Sequence, residues 1–206
     1  MADESKVLIL GAPTREHAYR TVFLAGKVCR HKNIMEITEK DFSEEEMESY
    51  IDKLISAGHE SILEHINITF LLTNMSRIFT HQLVRHRIAS YSQFSHRGKD
   101  ENMSMFVPEK LRQSEKLAKI WNKSVAQLSE VYKLSVEEGG LSYDEARYIL
   151  PMGLRTNIMF TMNVRSLRNF IRLRADKTAS FEIQNVAKEI LAFMKENYPV
   201  FVKDLT

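Results

Sequence analysis

Apolar and polar residues alternate along some stretches of this chain and recur at helical spacing along others, and the changes of period outline its elements. Val7-Leu8-Ile9-Leu10 is a short apolar run of β type closed by Gly11-Ala12-Pro13, and Thr14 to Cys29 then sets Ala18, Val22, Phe23 and Ala25 on one side of a predicted helix. Ser43 and Glu46 have the spacing of a capping box, after which Met47, Tyr50, Ile51, Leu54 and Ile55 recur at helical spacing until Gly58 ends the pattern. Ile66 to Leu72 alternates and is rich in β-branched residues, which predicts a strand with one buried face, broken by Asn74 and Ser76. Arg77 to Arg87 reads as a helix with Ile78, Phe79 and Leu83 on its apolar side.

In the second half, Gly98 to Val107 reads as loop and Pro108 suits a helix start. A long helix is predicted from about Glu109 to Glu138, carrying Leu117, Ile120, Trp121, Val125, Leu128, Val131 and Tyr132 inward, with Gly139-Gly140 as its stop. Ser142 and Glu145 form a second capping box opening a short helix that holds Arg147 and ends near Pro151. Asn157 to Val164 alternates again, with Ile158, Phe160 and Met162 on one face of a strand. Ser166 to Arg174 and Ser180 to Pro199 supply two more helices. No repeat, linker or low-complexity tract interrupts the series, so a single α+β domain over residues 1–206 is the economical expectation.

Composition alters this picture little. A chain of 206 residues, 44% hydrophobic and 27% charged with only seven glycines and four prolines, buries a real core and has no signature of disorder. The net charge of +2 means that any anion site must come from local arrangement. Cys29 is the one cysteine, so no intramolecular disulfide or cysteine pair for a metal exists, and a buried, inert thiol is expected from its apolar neighbours. The polar start and the lack of any apolar run of spanning length predict a soluble, cytoplasmic protein with no membrane partner.

The chemistry concentrates in Arg85-His86-Arg87-Ile88-Ala89-Ser90-Tyr91-Ser92-Gln93-Phe94-Ser95-His96-Arg97, and no carboxylate lies between Glu64 and Asp100. A second acid-free segment between Glu145 and Asp176 carries Arg147, Arg155, Arg165, Arg168, Arg172 and Arg174, and the two segments are expected to meet in space. Guanidinium groups stay charged at any working pH and bind phosphate bidentately, so the pair suits a ligand with phosphates and a polar ring. A solvated basic face is the competing reading. No glycine-rich phosphate loop is present, so side chains would hold the phosphates. His59 and His65 stand six apart, unlike the i, i+4 pair of a helical metal site, and no metal is expected. Ser95 lacks a visible activating base, which disfavours nucleophilic catalysis.

These residues also carry a family resemblance. Arg85-His86-Arg87 followed by Ser95 and Arg97 resembles the signature of the flavin-dependent thymidylate synthases, the ThyX family. Gly58-His59-Glu60-Ser61 with Glu64-His65, Glu145-Ala146-Arg147 with Leu150-Pro151, and Asn163-Val164-Arg165-Ser166-Leu167 through Asn169-Phe170 to Leu173-Arg174-Ala175 resemble its other blocks in order. Ala25 to Cys29 is a fainter match. The resemblance implies a ThyX-like α+β fold with a central, mostly antiparallel sheet and long helices. It implies a homotetramer that binds FAD at subunit interfaces and methylates dUMP to dTMP, with methylenetetrahydrofolate as carbon donor and NADPH as reductant.

By position, the resemblance assigns Ser61, Arg85, His86, Arg87, Gln93, Asn163, Arg165 and Asn169 to FAD. Gln82, Arg85, Ser95, His96, Arg97, Arg147 and Arg174 are assigned to dUMP. Arg174 is the implied catalytic cation at the uracil edge, and His59 is implied near the flavin ring and the folate path. Three positions depart from the pattern: Gly98-Lys99 where an aromatic residue usually follows Arg97, Gln93 where many members have Glu, and Thr178 where a histidine is common. The alternatives are a flavin- and folate-dependent pyrimidine nucleotide hydroxymethylase and, in a different class, a basic nucleic-acid-binding module. The nearly neutral charge and weak aromatic interleaving argue against the second, so no nucleic-acid partner is expected.

Overall fold

In the computed structural model, which describes residues 4–97 and 103–205, the elements follow the predicted order with instructive exceptions. Strand β1 (Lys6–Gly11) leads into helix α1 (Arg15–Val28), where the Thr14 side chain accepts from the His17 N–H as N-cap. A short α2 (Ile34–Thr38) precedes α3 (Glu44–Ser56), whose capping box is fully formed between Ser43 and Glu46. Gly58, at φ +78°, ends that region in a conformation that favours glycine. A 3-10 turn (Glu60–His65) follows, then β2 (Asn67–Ser76) and α4 (Arg77–Leu83).

Two expectations are corrected at this point. The strand does not break at Asn74 but runs on to Ser76: although Asn74 takes a left-handed conformation (φ 58°), hydrogen bonds hold it from several directions. Its N–H donates to Asn157 Oδ1 at 2.9 Å, and its carbonyl accepts from Ser5 Oγ and from Arg155 Nη1, each at 3.0 Å. The helix ends at Leu83 rather than Arg87, and a strand that periodicity did not reveal, β3 (Ala89–Gln93), lies inside the arginine signature.

Beyond the undescribed residues 98–102, the single long helix is in fact two: α5 (Glu109–Arg112) and α6 (Glu115–Glu137). Ser114 causes the break, since its hydroxyl accepts from the Leu117 N–H and caps α6. The remaining elements are α7 (Tyr143–Ala146), opened by the Ser142–Glu145 capping box, a 3-10 turn (Arg147–Ile149), β4 (Arg155–Asn163), α8 (Val164–Arg174), α9 (Phe181–Asn197) and α10 (Pro199–Val202). The sheet is four-stranded and antiparallel, in the order β1-β2-β4-β3, as the α+β expectation requires.

The chain divides into two compact units. The first comprises Met1–Lys6, Leu72–Gln82 and Ser92–Ile158; the second comprises Val7–Leu71, Leu83–Tyr91 and Met159–Thr206. The core of the first gathers Met103, Tyr132, Ala146 and Leu154, with Val125, Leu128 and Val136 packed against it. Val125, Leu128, Tyr132 and Val136 recur at three- and four-residue spacing, so they form the inward stripe of α6. Leu117, Ile120 and Val131 fall off that stripe and are exposed, which corrects their inward assignment. The second unit has the larger core, in which α1, α3, α8 and α9 bury aromatic and aliphatic side chains around Tyr19, Phe70, Phe160 and Phe170. Phe70 and Phe160 stack at 5.0 Å on neighbouring strands, where cross-strand aromatic pairs stabilise register.

Candidate functional site

The second unit assembles a cationic cavity of about 970 Å³. Helix α8 supplies one wall through its period. Val164, Leu167, Phe170 and Ile171 face the core, so Arg165, Asn169, Arg172 and Leu173 are carried round to line the cavity, with Arg174 at the helix end. The other contribution is Arg85, His86, Arg87 and Ile88, which lie in a turn rather than on a helix. That turn is closed by the His86 N–H bonding to Leu83 O at 3.1 Å. The Tyr91 hydroxyl, 2.9 Å and 2.7 Å from the carbonyl oxygens of Leu83 and His86, ties it further. Burial pushes the Tyr91 phenol up to about 12, so it stays protonated in this role.

The two acid-free segments meet here, as expected: Arg174 Nε donates to His86 Nε2 at 3.0 Å. A ring nitrogen can accept only when unprotonated, so His86 is the neutral imidazole with its proton on Nδ1. Burial, with the Arg174 and Arg85 charges added, lowers its pKa from 6.5 to about 4, in agreement with that geometry. The unfolded chain therefore binds a proton that the folded one refuses between those two values. Stability contributed by neutral His86 is present above about pH 6.5 and is lost progressively as pH falls toward 4. Urea midpoints measured at pH 7, 5.5 and 4.5 are expected to fall less steeply for His86→Gln than for the parent chain.

Absence of carboxylates in the sequence segments did not mean absence in space. Glu64 pairs with Arg165, and Glu60 and Glu64 both line the cavity. Arg168, one of the arginines of the second acid-free segment, is buried to 1% exposure, holding Asp204 through two contacts of 2.7 and 2.8 Å and Glu60 at 3.0 Å. Arg155 likewise serves the backbone, donating to Met105 O and Asn74 O. Glu60 and Glu64 stand in the same motif as His59 and His65, which was the signal available for their proximity to arginine.

The first unit holds its own cavity, of about 600 Å³, lined by Arg77, His81, His96, Arg147 and Tyr148 over Leu150, Pro151, Met152 and Leu154. Nearby in the same unit, Asp144 accepts from Arg97 Nε at 2.8 Å and lies 2.9 Å from Arg147 Nη2. The hydrogen bond from Arg97 holds the Asp144 carboxyl below the ordinary range. Ser95 Oγ accepts from the Arg97 N–H at 3.3 Å, and Gln93 Nε2 donates to Thr80 Oγ1 at 3.0 Å. Arg77, His81 and Tyr148 were not singled out in the sequence: Arg77 and His81 lie in the first acid-free stretch ahead of the Arg85–Arg97 cluster, and Tyr148 directly follows Arg147 in the second.

Of the residues assigned to FAD by resemblance, Arg85, His86, Arg87, Arg165 and Asn169 line the cavity of the second unit. Ser61 and His59 are exposed on or beside the Glu60–His65 turn and do not line it, and Asn163 caps α8 by accepting from the Ser166 N–H at 2.8 Å. Gln93 belongs to the first unit. The dUMP set divides likewise: Arg85 and Arg174 are in the second unit, and Gln82, Ser95, His96, Arg97 and Arg147 in the first. Thr178 uses both its N–H and its hydroxyl on Asp176 Oδ1, a local turn. Gly98 and Lys99 lie outside the described residues. Cys29, expected to be buried, is exposed at the C-terminal end of α1, its Sγ 3.9 Å from Ala25 O. Among the described residues no group of His, Cys, Asp and Glu has the makings of a metal site, and no helix is long and apolar enough to cross a membrane.

Residues 13–200 match the family model described as thymidylate synthase complementing protein. The chain belongs to this family. Among its relatives, the flavin-dependent thymidylate synthase of Pyrococcus furiosus is 41% identical over 157 residues, covering 74% of this chain and 64% of its own length. That of Saccharolobus solfataricus is 36% identical over 187 residues, 89% of this chain and 71% of its own. That of Clostridium tetani is 36% identical over 206 residues, 89% of this chain and 80% of its own. The stretch matched in Pyrococcus furiosus is thus less than two-thirds of that protein.

Proposed function

We propose that this chain, with both units acting as one synthase domain, is a flavin-dependent thymidylate synthase that converts dUMP to dTMP in the cytoplasm. The observation that carries the reading is the cavity of the second unit, where Arg85, Arg87, Arg165 and Arg174 converge around Asn169, Ile88 and Leu173. Its roughly 970 Å³ is in the upper part of the range for small-molecule sites and suits a dinucleotide. Its guanidinium groups match phosphates, its apolar side chains match a ring, and no glycine loop is needed. The relatives' shared description as flavin-dependent thymidylate synthases supports the same ligand.

FAD, when bound and reduced by NADPH, supplies the electrons that turn the methylene group carried by methylenetetrahydrofolate into a methyl group. The chain's own work is positional and electrostatic. Arg85, Arg87 and Arg165 hold phosphates, with Asn169 and neutral His86 beside them; Ser61, Gln93 and Asn163 complete the proposed flavin set. Gln82, Ser95, His96, Arg97 and Arg147 hold the nucleotide, and Arg174 places a fixed cation where negative charge develops on the pyrimidine. His59 is assigned to the folate path. Active sites are shared between subunits of a homotetramer. The exposed apolar residues Leu117, Ile120, Val131 and Leu134 on α6, and Leu8 and Leu10 on β1, support an assembly that covers them.

The deciding measurement is the visible absorption spectrum of the purified chain with FAD, then anaerobically with NADPH, dUMP and methylenetetrahydrofolate. A bound flavin bleached by NADPH, with dTMP recovered by chromatography, is expected. A protein that takes up no FAD refutes the cofactor, and 5-hydroxymethyl-dUMP as product moves the hydroxymethylase ahead of the synthase.

A further inference from the structure

The turn that carries Arg85, His86 and Arg87 is held by a side chain to which no ligand is assigned. Tyr91, on β3, places its hydroxyl 2.9 Å from Leu83 O and 2.7 Å from His86 O. A phenol has a single proton, so the two carbonyls share it, and both lie at the C-terminal end of α4, where helix carbonyls lack partners of their own. The ring behind the hydroxyl is anchored in turn. Its centroid is 6.4 Å from that of Phe160, which stacks on Phe70 at 5.0 Å, so the hydroxyl takes its position from the sheet and not from the turn.

Tyr91 thereby completes the fixation of His86, whose N–H bonds to Leu83 O at 3.1 Å while its carbonyl accepts from the phenol. With the backbone held on both sides, the imidazole stands edge-on to Phe170 at 5.1 Å and presents Nε2 to Arg174 Nε at 3.0 Å. Arg174 is the last residue of α8, and this is the one side-chain hydrogen bond it makes among the described residues. A long side chain with many rotamers, held at one point, goes where its acceptor goes. We propose that Tyr91 is a positioning residue: its hydroxyl, acting through the backbone and imidazole of His86, sets where the Arg174 guanidinium stands. The kinetic consequence rests on the synthase reading, whereas the linkage itself does not. Under that reading a displaced cation slows the chemical step, because stabilisation of developing charge depends on donors already in place.

The test is Tyr91→Phe, which keeps the ring and its contact with Phe160 and removes only the hydroxyl, in the full chain saturated with FAD. Tritium release from 5-labelled dUMP is expected to slow about tenfold in kcat, with KM for dUMP within about threefold and bound flavin at the parent stoichiometry. In an Arg174→Ala background the same substitution is expected to cost nothing further, because the group it positions is gone. A residue that only stabilises the fold would cost as much in both backgrounds. A second readout needs no turnover. In protein carrying isotopically labelled histidine, the His86 ring nitrogens, identified by their loss in His86→Gln, are expected to report one Nδ1-protonated tautomer in the parent. In Tyr91→Phe they are expected to move toward the average of the two tautomers as the bond from Arg174 loosens. Release at the parent rate by Tyr91→Phe overturns the proposal. So does an equal loss in the Arg174→Ala background, a flavin content cut by about half or more, or an unchanged pair of His86 nitrogen signals. A parent chain that binds FAD and releases no tritium removes the synthase reading alone, and the nitrogen signals then decide the linkage.

Discussion

Arg174→Ala is expected to slow tritium release from 5-labelled dUMP by about 10²–10³-fold while the flavin stays bound, since removing one preorganised charge-stabilising donor typically costs that much. The expectation rests on how Arg174 is held. Its Nε is committed to His86 Nε2 at 3.0 Å, which fixes the plane of the guanidinium and leaves its two terminal nitrogens for a ligand. His86 is in turn fixed by its own backbone bond to Leu83 and by the edge-on Phe170 ring at 5.1 Å. A fixed fork of this kind can stabilise negative charge on a pyrimidine without reorganising at the moment of reaction. The flavin is expected to remain because Arg85, Arg87, Arg165 and Asn169 are untouched. Arg174→Lys keeps the charge and loses the fork, so it should recover only part of the rate. Tritium release at the parent rate from a flavin-loaded Arg174→Ala protein would take Arg174 out of the chemistry.

Periodicity served well where an element is closed by its own neighbours. The Ser43 and Ser142 capping boxes form as their spacing implies, and β4 buries Ile158, Phe160 and Met162 on the face that alternation assigns. It failed where a distant group decides. Asn74 reads as a breaker, yet Arg155 and Asn157, some eighty residues on, hold it inside a strand. The Arg85–Arg87 segment continues the pattern of a helix, yet the Tyr91 hydroxyl draws it into a turn and lets β3 begin at Ala89. Ser114 is one hydroxyl in a polar stretch, and its choice of the backbone at Leu117 divides a helix that apolar spacing would run through.

The candidate site was legible in the same uneven way. Residue type and crowding pointed to Arg85, His86, Arg87, Arg165 and Arg174, and these do share one unit. Counting carboxylates along the sequence could not say which arginines remain available, because Glu60, Glu64 and Asp204 reach Arg165 and Arg168 from 36 to 108 positions away. Nor does any run of like residues mark Arg77, His81 and Tyr148, which only the fold brings to one cavity.

Arg168 gives the largest expected effect on stability, and it separates a structural arginine from a ligand-binding one. Replacing it with alanine is expected to cost about 3 kcal/mol, the low end for breaking a buried ion pair, because Asp204 is half exposed and can be partly rehydrated while Glu60 cannot as readily. Burial acts against the charged guanidinium, but Asp204 and Glu60 outweigh it, so Arg168 remains firmly protonated. The reciprocal effect appears on the acid: the Arg168 hydrogen bonds hold Asp204 below the ordinary carboxylate range. Stability from this pair is therefore present above the unfolded carboxylate pKa of about 4 and is lost as pH falls through the lower folded value. Arg168→Met keeps much of the buried volume and removes the charge, so it should lie between the parent and Arg168→Ala at neutral pH, and its urea midpoint should fall less between pH 5 and 3. If instead Arg168→Ala unfolds at the parent midpoint and loses FAD affinity, Arg168 faces the ligand, and the acid-free reading of the segment was the better one.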